Sequence, residues 1–199
     1  MYLAIGMILP LSAHGQSVTV TADPYPDESI SQSYMALDRQ CRNLVSQHAD
    51  AAQAVAACKK VADEADQFKP QSHFITRRAA YVFYTTALIQ AKQPQLALET
   101  GDKAVAVVLL GHDDASGSSA AYSVRGQAKV IAGDLAGADQ DIERAEIFQR
   151  NALNSPAGQD LKIPYSRALK GLLIFHAQVL TAMGKQSPAN IKLELANKL

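Results

Sequence analysis

An all-α chain made of paired antiparallel helices is what this sequence predicts, and three observations carry the expectation. From about Ser29 onward Ala, Leu, Gln, Lys and Glu dominate, and apolar residues recur at spacings of three and four, the period of an amphipathic helix. Alternating strand-like patterning is confined to one short run, "QSVTVTADPYPDE", which two prolines close. Turn residues then divide the remainder into four hairpins. With 199 residues, 48% of them apolar, the chain can bury a core as one domain.

Taken in order, the first segment is 1–15, "MYLAIGMILPLSAHG". It is a short apolar run ending in small residues, with Ala13 and Gly15 spaced like the −3 and −1 positions of a signal-peptidase site. It reads as an export signal, although no Lys or Arg precedes its apolar core. It is too short to span a bilayer, and no other segment approaches the ~18 uninterrupted apolar residues that a span needs. Residues 16–28 read as a mobile N-terminal segment of the exported chain, and 29–199 as the helical domain.

The first hairpin comprises "SQSYMALDRQCRNLVSQ" and "AAQAVAACKKVADEADQF", turning near Ala49 and closed by Lys69-Pro70. It holds both cysteines of the chain. Cys41 lies eight residues before Ala49 and Cys58 nine after it, so antiparallel helices bring them to one level. An oxidising compartment favours a disulfide there; two buried thiols packing as small hydrophobes are the alternative. The second hairpin turns at Gln93-Pro94 and ends in "LGHDDASGSS", read as a loop. The third turns at Gly133-Asp134. A longer connection, Asn154–Pro164, leads to the fourth, whose last helix is expected to start with Ser187 as N-cap and Pro188 at the first helical position.

Four helical pairs invite a search for a repeat. In the third pair Tyr122, Gly126, Gly133, Asp134, Ala138, Ile142 and Ala145 fall where a tetratricopeptide repeat places its bulky residue, first small residue, inter-helix Gly-Asp, second small residue, bulky residue and third small residue. Arg125 and Lys129 depart from that pattern, standing where the family has large apolar residues. The fourth pair matches through Leu173, Ala177, Leu180, Gly184, Ala189, Leu193 and Ala196. In the second, Tyr81, Tyr84, Ala87, Leu88, Ala97 and Ala104 fit, but Gly101 replaces a bulky residue and no glycine marks the turn. The first fits only at Ala54, Cys58 and Val61. The equivalent residues Ala54, Ala97, Ala138 and Ala189 are 43, 41 and 51 apart, against a family period of about 34. The chain thus resembles a divergent tetratricopeptide-type array, which implies a right-handed superhelix of about four antiparallel hairpins.

Chemistry-bearing motifs are sparse. His112-Asp113-Asp114 stands in a Gly/Ser-rich stretch without a second spaced His or Cys, so a metal site is not expected. "SGSS" at 116–119 lacks nucleophile-elbow spacing, and no glycine-rich phosphate motif occurs. His176, within "LLIFHAQVL", reads as a core or groove histidine; His48 and His73 lie near helix ends without an evident partner. The acids Asp139, Asp141 and Glu143 read as solvated or as partners of Arg125, Lys129 or Arg144. Nineteen basic residues balance nineteen acidic ones, which disfavours nucleic acid and anionic membranes as partners; Arg77-Arg78 beside Tyr81, Phe83 and Tyr84 makes a poor case against that balance.

No catalytic residue, cofactor or metal is therefore expected. The resemblance implies instead a concave face lined by the first helix of each pair: Val82, Thr86 and Ile89, then Ser123, Gln127 and Val130, then Ile174, Gln178 and Thr181. Amides and hydroxyls among aliphatics suit an extended peptide, whereas the Lys/Asn set that clamps a C-terminal carboxylate in some family members is missing. The expected function is a non-catalytic protein- or peptide-binding module of the bacterial envelope, periplasmic or secreted; the alternative is a self-associating structural component of that envelope.

Overall fold

A computed structural model describes residues 30–48, 50–68, 73–110 and 114–199. The expected export signal, the segment 16–28, the turn residue Ala49, the Lys69-Pro70 boundary, and His112 and Asp113 lie outside the described residues. Nine α-helices and no strand form among the described residues: α1 Gln32–Ser46, α2 Ala51–Ala65, α3 Phe74–Gln90, α4 Pro94–Leu109, α5 Ala115–Ala132, α6 Leu135–Asn154, α7 Pro156–Asp160, α8 Lys162–Ala182 and α9 Gln186–Asn197. The hairpins are α1/α2, α3/α4, α5/α6 and α8/α9, and each packs on the next.

One backbone device makes all four turns. A single residue goes left-handed after the first helix of each pair: His48 (φ 48°), Lys92 (φ 56°), Gly133 (φ 87°) and Gly184 (φ 75°). In the last three pairs the next N–H then reaches back five residues, Gln93 to Leu88, Asp134 to Lys129 and Lys185 to Leu180, at 2.9, 2.9 and 2.8 Å. This closes two orphan carbonyls at each helix end and reverses the chain. Lys92 occupies in the second pair the place of Gly133 in the third, so the repeat persists where its glycine has gone. Ala54, Ala97, Ala138 and Ala189 are each 0% exposed, as close approach of paired helices requires.

Helix starts follow local capping. Ser31, Asp50, Asp114 and Asp134 accept from backbone N–H groups of the first turns of α1, α2, α5 and α6, and Pro94 occupies the first position of α4. Three boundaries correct the sequence reading. "ASGSS" is the first turn of α5 rather than loop, because Asp114 caps it. The connection at Asn154–Pro164 is helical: Ser155 caps the short α7, and Pro164 lies inside the first turn of α8. Finally, α9 starts at Gln186, not after Ser187, because the Gly184 turn has already reversed the chain.

In the first hairpin Cys41 and Cys58 are disulfide-bonded, with Cα atoms 4.8 Å apart, and both are fully buried. Two of the departures from the repeat pattern in the middle pairs, Gly101 and Arg125, explain each other. A Cβ on Gly101 of α4 would lie 3.2 Å from Cβ and Cγ of Arg125 on α5, so the missing bulky side chain is the space the arginine stem fills. Gly126 does the same between α5 and α6, where an added Cβ would meet Ile142 at 3.0 Å. Gly101→Leu should therefore displace Arg125 and overpack the α4–α5 seam, costing about 2 kcal/mol in chemical denaturation.

Candidate functional site

The nine residues expected on the concave face divide by helix. Val82, Thr86 and Ile89 are buried, because α3 is flanked by α1 and α5 as well as by α2 and α4; the Thr86 hydroxyl donates to the Val82 carbonyl at 2.8 Å. They offer a ligand no surface in this conformation. Ser123, Gln127 and Val130 of α5, and Ile174 and Gln178 of α8, are half-buried, and Thr181 is exposed. On α8 Phe175 and Val179 pack toward α6, and Leu173, Ala177 and Leu180 toward α9; Ile174 packs against the Leu169, Leu173 and Ala196 cluster, and with Gln178 and Thr181 it keeps accessible surface. On α5 Gly126 faces α6, Arg125 reaches α4, and Ala128 joins Leu88 and Ala97, which leaves Ser123 and Gln127 uncommitted to a neighbouring helix. α5 and α8 both pack on α6 and share no helix-length contact, so these two rows sit on the helices that flank it. Val130 lies against the Ala138, Ile142, Phe175 and Val179 cluster.

Where α6, α8 and α9 meet lies a charged network that the sequence reading did not anticipate. His176 is 2% exposed. Its Nδ1 lies 2.6 Å from a Glu146 carboxylate oxygen and its Nε2 lies 2.7 Å from Asp139, both on α6. A carboxylate only accepts, so both contacts are hydrogen bonds when the ring is the imidazolium with two donors. Lys185 donates to Asp139 at 2.8 Å, and Lys192 of α9 donates to both Glu146 oxygens at 3.0 and 2.8 Å. The network joins α6, α8 and α9 and fixes the fourth hairpin to the third. Both ring nitrogens are engaged, so the imidazole acts as a bridge. Asp139 and Glu146 stand seven residues apart, on one helical face, and that spacing was the available sequence signal.

Asp141, by contrast, finds the partners expected for it. It is 1% exposed; Arg125 donates to its two oxygens through Nε and Nη2 at 2.7 Å each, and Lys129 stands 2.8 Å away. The third Arg125 nitrogen reaches Asp102 of α4 at 3.0 Å, so one guanidinium ties three helices. Glu143 is solvated, and Arg144 lies over the Tyr122 ring at 5.6 Å. Arg78 is a core residue: 3% exposed, it donates to Asp114 at 2.7 Å, and Gly117 leaves room for its guanidinium. His48 and His73 do have partners, the Gln90 amide at 3.3 Å and the Phe68 ring at 4.7 Å. A shallow depression of ≈ 270 Å³ is bordered by Asp66, Arg77, Tyr81 and Lys103. There the Tyr81 hydroxyl donates to Asp66 and Lys103 pairs with the same carboxylate, while burial and the Asp66 bond push the tyrosine up to about 12. Among the described residues no group of three or more His, Cys, Asp or Glu side chains converges to hold a metal ion.

These networks make stability depend on acid. Burial raises the Asp139, Asp141 and Glu146 carboxyls, but Lys185 and His176, Arg125 and Lys129, and His176 and Lys192 outweigh it and hold each below its ordinary value. A depressed folded-state value contributes stability that is complete above the unfolded carboxyl range and lost as the pH falls through the folded one. The unfolding midpoint should thus hold steady down to about pH 5 and decline steeply below about pH 4. Thermal melts followed by circular dichroism check this. Asp141→Asn should flatten the decline.

No family model matches the chain, and neither the curated proteins nor the solved structures contain a match to it.

Proposed function

We propose that this chain is a tetratricopeptide-like helical-repeat module that binds a protein or extended peptide without catalysing a reaction, and that its binding face lies on the last two hairpins. The observation that carries the reading is the pair of part-exposed rows on α5 and α8, two helices that both pack on α6. Ser123 and Gln127 on α5 and Ile174, Gln178 and Thr181 on α8 combine hydrogen-bonding and aliphatic surface, on helices tied to α6 by charged networks. An extended backbone offers the donors and acceptors that such amides and hydroxyls match, and rigid helices lower the ordering cost of binding. The left-handed residue common to all four turns and the four buried alanines support the family reading, to which the right-handed superhelix also belongs. Action in the bacterial envelope is supported by the Cys41–Cys58 disulfide and the leader-like sequence of 1–15.

Site-specific photo-crosslinking tests this. A photoreactive phenylalanine analogue at Gln127 or at Gln178 should crosslink one and the same protein in envelope extracts, while the analogue at Gln140, exposed on α6, should not. Equal capture from Gln140, or different products from Gln127 and Gln178, would sink the proposal. A second reading, self-association, rests on a different surface.

A further inference from the structure

The second helices of the four hairpins can be placed in one register by their buried alanines, Ala54, Ala97, Ala138 and Ala189. Positions two and six residues beyond each alanine are exposed in every hairpin. In the first three they carry Ala56 and Lys60, Glu99 and Lys103, and Gln140 and Arg144, which is an ordinary solvated face. In α9 the same positions carry Ile191 and Leu195, 55% and 36% exposed, and Leu199 continues the stripe at 45%. The change from small, polar or charged residues to large aliphatic ones thus occurs in one helix, at positions that no hairpin uses to pack on its successor. Across the α6–α8 junction the contacts come from Asp139, Ile142 and Glu146, whose α9 counterparts are Asn190, Leu193 and Asn197. A further hairpin added in the same register would therefore leave the stripe bare.

We infer that the outer face of α9 is a self-association surface whose occupant is the α9 of a second copy, crossed antiparallel about a two-fold axis. Charge complementarity selects that occupant. Glu194 and Lys198 lie one turn apart along one edge of the stripe, and among the described residues neither has an ion-pair partner. A two-fold contact must be complementary to itself. Antiparallel crossing beside Leu195 brings Glu194 of each copy against Lys198 of the other along one edge of the contact, with the aliphatic side chains beside them. A face with one acid and one base in this order meets its own reversed copy with both charges matched. An anionic membrane would find no net charge on it. One short helix per partner buries less than the ~1,200 Å² of a standard interface, so the dimer should be weak and reversible, with dissociation on the order of tens of micromolar.

Sedimentation equilibrium of the chain over a wide concentration range, with charge-exchanged variants, tests this. Glu194→Lys and Lys198→Glu should each weaken dimerisation about tenfold or more, because each sets like charges against one another. An equimolar mixture of the two variants should dimerise as the unaltered chain does, since each Lys then faces a Glu. Leu195→Gln should abolish the dimer with its circular dichroism melt unchanged, because the side chain is not in the core. A chain that stays monomeric at millimolar concentration overturns the inference. So does a dimer indifferent to Leu195→Gln, or variants whose mixture fails to regain affinity. The crosslinking at Gln127 and Gln178 reports on another surface, so either proposal can fail while the other stands.

Discussion

Asp141→Ala is expected to lower the unfolding free energy by about 3 kcal/mol, the cost of breaking a buried ion pair by removing one partner. The carboxylate is 1% exposed, and its loss leaves Arg125 and Lys129 facing each other across the site it occupied. The penalty is set at the lower end of the range because Arg125 keeps Asp102 and both cations retain some contact with water. Arg125→Leu should cost less, about 2 kcal/mol, since Lys129 remains to neutralise the buried charge. It should leave ligand capture intact, because Arg125 faces α4 and α6 and does not belong to the rows on α5 and α8. Urea denaturation of the two single variants and the double variant gives the coupling energy, expected at 1 kcal/mol or more. Additive effects would mean that the contact does not hold the hairpins together.

Removing the Cys41–Cys58 crosslink is expected to cost about 3 kcal/mol, the loop-closure entropy for a separation near the observed 17 residues. The double substitution to alanine isolates that contribution, since two buried small apolar residues are retained in the α1/α2 contact. The first hairpin depends on it most: besides Tyr34, Val45 and Val61, its buried residues are alanines and the two cysteines themselves. Hydrogen exchange in α1 should accelerate in the double variant, and in the parent under reductant, while α8 is unaffected. Unfolding midpoints indifferent to reductant would contradict this.

How far the sequence reveals this architecture varies by hairpin for physical reasons. The third is legible because Gly126, Gly133, Asp134 and Ala138 all do locally what their residue types suggest. In the second, Lys92 adopts the left-handed turn conformation without being glycine, so the marker is absent although the turn is the same. Ser155-Pro156 is a helix start hidden by Gly158, whose added Cβ would lie 2.1 Å from the Ala152 carbonyl oxygen. It reads as a loop glycine and is a packing glycine. The expected concave row shows the limit more plainly. Its α5 and α8 members keep accessible surface, but Val82, Thr86 and Ile89 do not, because burial on α3 is decided by α1 and α5, helices remote in sequence. His176 was legible as buried. Its two carboxylates, 30 and 37 residues earlier, were not, since only the packing of α8 on α6 brings them to it.

The claim that binding belongs to the rows on α5 and α8 is tested most directly by hydrogen exchange of the chain with and without the crosslinked partner. Slower exchange confined to α5 and α8, abolished by Gln127→Arg together with Gln178→Arg, is the predicted result. Protection centred on α4 or on the outer face of α9, with α5 and α8 unchanged, would contradict it.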